Sequence, residues 1–103
     1  MRQDFVGSFY FKQTITGNLI GEFINNDSFD VHVESAKRVN DQQLFEGTYD
    51  STWFDETLHL ATLTISRVGN KFNLEWNDSK SIHYEGQGFI VDSMLIGYYR
   101  RKS

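Results

Sequence analysis

Apolar and polar residues alternate with a period of two along almost the whole chain. The first run places Phe9 and Phe11 on one side and Tyr10 and Lys12 on the other. Such alternation is typical of β-strands that bury one face of a sheet. It predicts eight strands, whose inward positions alternate within Phe5–Phe11, Leu19–Phe23, Phe29–Val33, Phe45–Trp53, Ala61–Ile65, Phe72–Trp76, Ile82–Gly88 and Leu95–Tyr99.

Turn-forming residues separate these runs. Thr16-Gly17-Asn18 follows the first run, and Gly69-Asn70 lies between two alternating runs, which is a strong signal for a tight β-hairpin. The third run alternates most regularly, so Phe29, Val31 and Val33 are predicted to point inward. The same alternation turns three neighbours outward: Asp30, His32 and Glu34. The following segment, Glu34–Val39, favours helix by composition but not by apolar spacing, and we predict a loop there.

A weak internal repeat indicates how the strands are arranged. An aromatic-x-Gly triplet occurs at Phe5-Val6-Gly7, Phe45-Glu46-Gly47 and Tyr84-Glu85-Gly86, at intervals of about 40 residues. An open meander of eight strands would expose two edges, and pairing the last strand with the first removes both. The sequence therefore predicts an all-β fold, an eight-stranded antiparallel up-and-down barrel with little or no helix.

Composition narrows the classes of protein. With 103 residues, of which 39% are hydrophobic and 16% aromatic, the chain can bury one core, and we expect residues 1–103 to form a single domain. The absence of cysteine excludes disulfides, thiolate catalysis and cysteine-ligated metals, and it fits a cytoplasmic location. A net charge of −4, with no basic stripe, disfavours nucleic acid. No apolar run is long enough for a membrane helix, so no membrane association is expected.

Short motifs near both ends resemble those of the calycin barrels, the group that includes lipocalins, fatty-acid-binding proteins and avidins. Gly7-Ser8-Phe9-Tyr10 looks like the Gly-x-Trp opening of those families, with Phe in place of Trp, and Gly17–Phe23 is similar to the second strand of avidins. Arg100 or Arg101 matches the terminal arginine that covers a first-strand aromatic residue in lipocalins. The helical lid and the C-terminal helix of these families have no counterpart. The resemblance therefore implies the architecture and no particular ligand.

The interior of an eight-stranded barrel is either filled by side chains or holds one small ligand. The space beside inward-facing glycines can be filled by rings from neighbouring strands, or it can form a narrow aromatic pocket. Arg67, if it were buried, would favour an anionic group, although its place beside a turn also allows it to reach solvent. The predicted ligand-binding residues are Tyr49, Ser51, Trp53, Arg67, Trp76, Tyr84 and Tyr99.

Other titratable residues do not form a recognisable catalytic or metal-binding motif. The histidines, His32, His59 and His83, are scattered over different strands, without a second ligand at metal spacing. Asp50, Asp55 and Glu56 surround Trp53-Phe54 and are interpreted as a solvated turn, because acid–base catalysis would require a cleft and raised pKa values. We expect no metal site, no cofactor and no enzymatic activity.

Apolar residues on the predicted outer face form a second candidate site. They concentrate on the first two and last two strands, which are neighbours in a closed barrel, and contiguous apolar surface often marks a partner. The predicted interface residues are Tyr10, Ile20, Phe89, Met94, Ile96 and Tyr98. The first functional hypothesis is a non-enzymatic protein that binds a small apolar or aromatic ligand at one barrel mouth. The alternative is an inhibitor-type or immunity-type interaction module, with a filled barrel and a homodimer or partner face outside.

Overall fold

The computed structural model describes residues 6–40, 44–79 and 82–102. These segments form eight strands and no helix: β1 (Val6–Gln13), β2 (Leu19–Asn25), β3 (His32–Arg38), β4 (Gly47–Phe54), β5 (Leu58–Val68), β6 (Lys71–Asp78), β7 (His83–Val91) and β8 (Met94–Lys102). Each strand pairs antiparallel with the next, and the sheet closes on itself as an up-and-down barrel. The predicted fold class is confirmed. In the described segments no helix is long and apolar enough to cross a membrane.

The barrel closes between its first and last strands, as predicted. β1 and β8 are paired from Val6 opposite Arg100 to Lys12 opposite Met94. This pairing satisfies backbone N–H and C=O groups that an open meander would expose at its two edges. Closure also brings the outer faces of β1, β2, β7 and β8 together.

Inward-facing residues fill much of the barrel. Tyr49, Leu63 and Leu95 have no exposed surface, and they belong to a core in which rings alternate with aliphatic side chains. Several rings lie across a glycine of the neighbouring strand. At Gly21, opposite Phe11, an added Cβ atom would lie 2.7 Å from the Phe11 ring and 2.0 Å from a backbone oxygen. The glycines in this part of the barrel thus make room for rings.

Arg38 closes one end of the barrel. Its guanidinium lies 4.9 Å from the centroid of the Tyr49 ring and donates to the Tyr49 hydroxyl at 2.6 Å. It also donates to the carbonyl oxygens of Gly17 and Glu46, at 3.0 and 2.9 Å, and to that of Leu44. Charge-assisted bonds to several carbonyls tie the β1–β2 loop to the β3–β4 loop. Arg38 thus holds these two loops together across this end of the barrel.

The predicted face of the third strand is wrong. Val33 is exposed, and Glu34 and Ala36 are buried instead, at 4% and 2% exposure. Phe29 and Val31 precede β3 and are fully or largely exposed. Alternation does not say which face points inward, and a shift of one residue exchanges the two faces. Here the small Ala36 fits the filled interior beside Leu19 and Ser51, and Glu34 finds hydrogen-bond donors there.

The segment Glu34–Val39, predicted to be a loop, is mostly strand. β3 continues to Arg38, with Ala36 paired to Leu19 on one side and to Ser51 on the other. Two neighbouring strands supply backbone partners here, and these tertiary contacts override the weak local preference for helix. The later start of β3 also lengthens the β2–β3 loop at the open end.

Candidate functional site: an aromatic pocket with a buried carboxyl group

A pocket of about 480 Å³ opens at the end of the barrel opposite Arg38. It is bounded by the ends of the strands and by the β2–β3 and β4–β5 loops, with Ile82 contributing from the β6–β7 side. The barrel is therefore filled at one end and hollow at the other. An interior filled by side chains is found in one half of the barrel, and an aromatic pocket is found in the other half.

Four rings form a closed circuit around this pocket. Phe23 contacts Trp53, Trp53 contacts Tyr84, Tyr84 contacts Tyr99, and Tyr99 contacts Phe23. The centroid distances lie between 6.0 and 6.2 Å, and the interplanar angles lie between 74° and 88°. Edge-to-face contacts of this kind are the favoured packing of aromatic side chains. We call these four residues the aromatic ring of the pocket.

Glu34 is the buried carboxyl group of the pocket lining. Its Oε2 atom accepts hydrogen bonds from the Ser51 hydroxyl at 2.5 Å and from the Trp76 indole N–H at 2.8 Å. Burial disfavours the charged carboxylate and raises the pKa of Glu34 to about 7, although the two hydrogen bonds act in the opposite direction. Glu34 can therefore be either neutral or charged near neutral pH.

Tyr99 is the member of the aromatic ring that also contacts Trp76, with ring centroids 5.9 Å apart. Its hydroxyl donates to the carbonyl oxygen of Ile24 and accepts a hydrogen bond from the Asn25 side chain, both at 3.3 Å. Burial raises the pKa of Tyr99 to about 12, and the nearby Glu34 charge acts in the same direction. Tyr99 is thus a neutral phenol at physiological pH, and its ring is held in place by β2.

His59 supports Trp53 from the rim of the pocket. The two rings are stacked, with centroids 5.1 Å apart and planes only 6° apart. The Nδ1 atom of His59 lies 2.9 Å from Asp78 Oδ2, and Nε2 lies 3.1 Å from Asp55. Burial would raise the pKa of Asp55, but hydrogen bonds from the Thr57 backbone N–H and from His59 outweigh it, so this pKa is lowered. The cluster fixes the orientation of Trp53.

The charged side chains around the pocket are predominantly acidic. Its lining contains five carboxyl groups and one guanidinium, namely those of Asp27, Asp30, Glu34, Asp55, Glu56 and Arg101. Arg101 lies over the Tyr84 ring, with its guanidinium carbon 5.8 Å from the centroid. All the lining carboxylates except that of Glu34 are exposed to solvent.

Four of the seven residues predicted to bind a ligand line the pocket: Trp53, Trp76, Tyr84 and Tyr99. The other three do not. Ser51 is buried behind Glu34 and donates to it, and Tyr49 belongs to the closed end, where its hydroxyl donates to the Phe45 carbonyl at 2.8 Å. Arg67 is exposed at that same end and donates to the Gly69 carbonyl at 3.0 Å, as the solvent-exposed alternative predicted.

Glu34, Phe23 and His32 also line the pocket, although they are not among the residues that the sequence predicts to bind a ligand. Glu34 and His32 were assigned to the outer face because the register of β3 was inverted. Phe23 was correctly placed inside but was not distinguished from core residues. Asp50, grouped with the mouth carboxylates, lies on the exposed face of β4, paired with Lys37 and Thr62. A buried glutamate gives no local signal, because its partners are distant in sequence.

Comparisons of the chain with protein-family models, with curated proteins and with solved structures find no match. The closed eight-stranded barrel is compatible with a calycin-like architecture, and this compatibility is limited to the architecture.

Proposed function

We propose that this protein is a non-enzymatic binding protein that holds a small ligand with an aromatic or apolar body in the open end of its barrel. The observation that carries the proposal is the pocket of about 480 Å³ bounded by the aromatic ring. That volume is within the range of small-molecule sites, which are mostly apolar with a few placed polar groups. The calycin-like architecture supports the same function, because eight strands enclose room for one small ligand.

Both tryptophans of the chain, Trp53 and Trp76, line the pocket, so intrinsic fluorescence reports on it directly. We expect 4-phenylbutanol, a neutral probe with one ring and a short chain, to change the fluorescence excited at 295 nm in a saturable way. The substitution Tyr84→Ala removes one member of the aromatic ring and is expected to weaken binding by about tenfold.

Tyr98→Ala is the matched control for this experiment. Tyr98 lies on the outer face of β8, where it is 57% exposed and its hydroxyl donates to Gln87 at 3.2 Å. Its removal should leave the affinity for the probe unchanged. If neither this alcohol nor its amine or carboxylate analogue causes a saturable change in the unsubstituted protein, the proposed function is overturned. Equal weakening by the two substitutions would place the probe outside the pocket.

A second candidate function, a homodimer or protein-partner face, is favoured by the outer surface of β1, β7 and β8. Phe89 lies opposite Ile96, and Ile96 lies opposite Tyr10, so three apolar side chains form one row across three strands. Met94 and Ile96 also border a groove beside Tyr10, while Ile20, Phe89 and Tyr98 are exposed.

The oligomeric state tests this second function. If the row is a homodimer interface, Ile96→Asp should convert a dimer into a monomer in analytical ultracentrifugation, because a charge in an apolar interface is left unpaired. Thr62→Asp, on the exposed face of β5, provides the control. If the unsubstituted protein is a monomer at about 0.1 mM, a concentration at which even weak complexes form, a stable homodimer is excluded.

A cytoplasmic location is part of the same proposal. It is supported by the absence of cysteine, and fractionation of the native source would test it.

A further inference from the structure

We infer that the ligand of the pocket is a small organic cation, with a protonated nitrogen that pairs with Glu34 and an apolar body enclosed by the aromatic ring. This inference rests on the proposed function and names the class of ligand. Three independent features of the pocket support it: the free oxygen of Glu34, the charge of the lining and the arrangement of the rings.

The first feature is the unused hydrogen-bonding capacity of Glu34. Both hydrogen bonds from Ser51 and Trp76 go to Oε2. No residue that the structure describes donates to Oε1, and no buried side-chain atom in the described part of the chain is sealed off without a partner. Because Glu34 lines the pocket and its Oε1 atom is not sealed off by the described residues, that atom can accept a hydrogen bond from a ligand in the pocket. A buried carboxylate is stabilised when such an oxygen receives a charged donor.

The second feature is the electrostatic potential of the pocket entrance. Four exposed carboxylates accompany Glu34 in the lining, and Arg101 supplies one positive charge against them. A concentration of one sign of charge around a cleft attracts ligands of the opposite sign and repels those of the same sign. An anionic ligand would have to pass these carboxylates and then lie beside Glu34. The lining therefore selects against acids and in favour of amines.

The third feature is the aromatic ring itself. Its rings meet edge to face, so neighbouring members present both faces and edges around the same space. The faces of Trp and Tyr attract cations, and this attraction is strongest where water is excluded. Trp53 is paired with Glu34 across β3 and β4, and the Glu34 charge acts on Tyr99, so two rings of this kind lie near the buried carboxyl group. An alkylammonium group fits both requirements at once, since its N–H donates to a carboxylate while its C–H groups contact the rings.

Three probes that differ only in their terminal group test this inference. They are 4-phenylbutylamine, 4-phenylbutanol and 4-phenylbutyrate, titrated at pH 8, where Glu34 is charged. We expect the amine to bind on the order of tenfold to a hundredfold more tightly than the alcohol, and the carboxylate to bind more weakly than the alcohol. In the Glu34→Gln protein the advantage of the amine over the alcohol should disappear, while the affinity for the alcohol stays within about threefold.

Glu75→Gln is the matched control, because it removes the same charge from an exposed position on β6 outside the pocket lining. It should preserve the advantage of the amine. If the amine and the alcohol bind equally and both depend on Tyr84, the proposed function stands and the inference of a cationic ligand is overturned. Tightest binding of the carboxylate overturns it as well. If none of the three probes binds, both the inference and the proposed function fail.

Discussion

Replacing Glu34 by glutamine is expected to stabilise the protein by about 3 kcal/mol more at pH 8 than at pH 4. The reason is the pKa of Glu34, which is about 7 in the folded protein against a usual value of 4.5. Between these two values the folded state keeps a proton that the unfolded state has lost. The contribution of Glu34 to the free energy of unfolding therefore falls by about 3 kcal/mol as the pH rises from 4.5 to 7, and it stays constant above pH 7.

Glutamine resembles the protonated glutamate in shape and has no charge to bury, so this decline should be absent from the Glu34→Gln protein. Urea denaturation followed by tryptophan fluorescence at the two pH values measures the difference. Glu75→Gln, on the exposed face of β6, should change the free energy of unfolding by the same small amount at both pH values. If Glu34→Gln changes the free energy of unfolding equally at pH 4 and pH 8, the charged form of Glu34 does not destabilise the folded protein, and its burial is contradicted. A stability cost of this kind is typical of groups retained for function.

Substituting Gly97 by alanine is expected to destabilise the protein by on the order of 3 kcal/mol, through overpacking at the β7–β8 pairing. Gly97 lies opposite Gly88 on β7 and opposite Phe9 on β1. A Cβ atom at Gly97 would lie 2.0 Å from the Gln87 carbonyl oxygen and 2.7 Å from the Gly88 Cα atom. Both are backbone atoms, so relief requires the strands to separate. We expect the melting temperature to fall by more than about 10 °C.

Gly69→Ala separates this steric effect from the general cost of replacing a glycine. Gly69 lies in the β5–β6 turn with a φ angle of 64°, and a Cβ atom there would meet nothing within 4 Å. Its replacement should cost about 1 kcal/mol, because an L-residue is strained in that conformation. A Gly97→Ala protein that is as stable as the Gly69→Ala protein would contradict the close approach of β7 and β8.

The period-two alternation of apolar and polar residues predicts most of the fold. At Phe9, Trp53 or Leu63 the inward residue is also the apolar one, so period and polarity agree, and the sequence predicts the buried face. In β3 the period and the polarity conflict, because Val33 points outward and Glu34 points inward. Which face is buried there depends on the space and the donors inside the barrel, and neither is a property of the local sequence.

The candidate site was predictable to the extent that it consists of rings. Trp53, Trp76, Tyr84 and Tyr99 are large inward residues, and burial of aromatic surface follows from alternation. Glu34 was not predictable, because the residues that make its burial possible are remote in the chain. Trp76 is 42 positions away and Ser51 is 17 positions away. Only closure of the barrel brings these three residues together, and the chemistry of the pocket depends on that contact.

The most direct test of this account is a carbon-13 NMR titration of the Glu34 carboxyl group in the folded protein. The resonance can be assigned by its absence from the Glu34→Gln protein. A buried Glu34, bonded to Trp76 and Ser51 beside an aromatic pocket, predicts a titration midpoint near a pKa of about 7. A midpoint near 4.5, the ordinary value for glutamate, would show that Glu34 faces solvent and would contradict both the register of β3 and the pocket built on it.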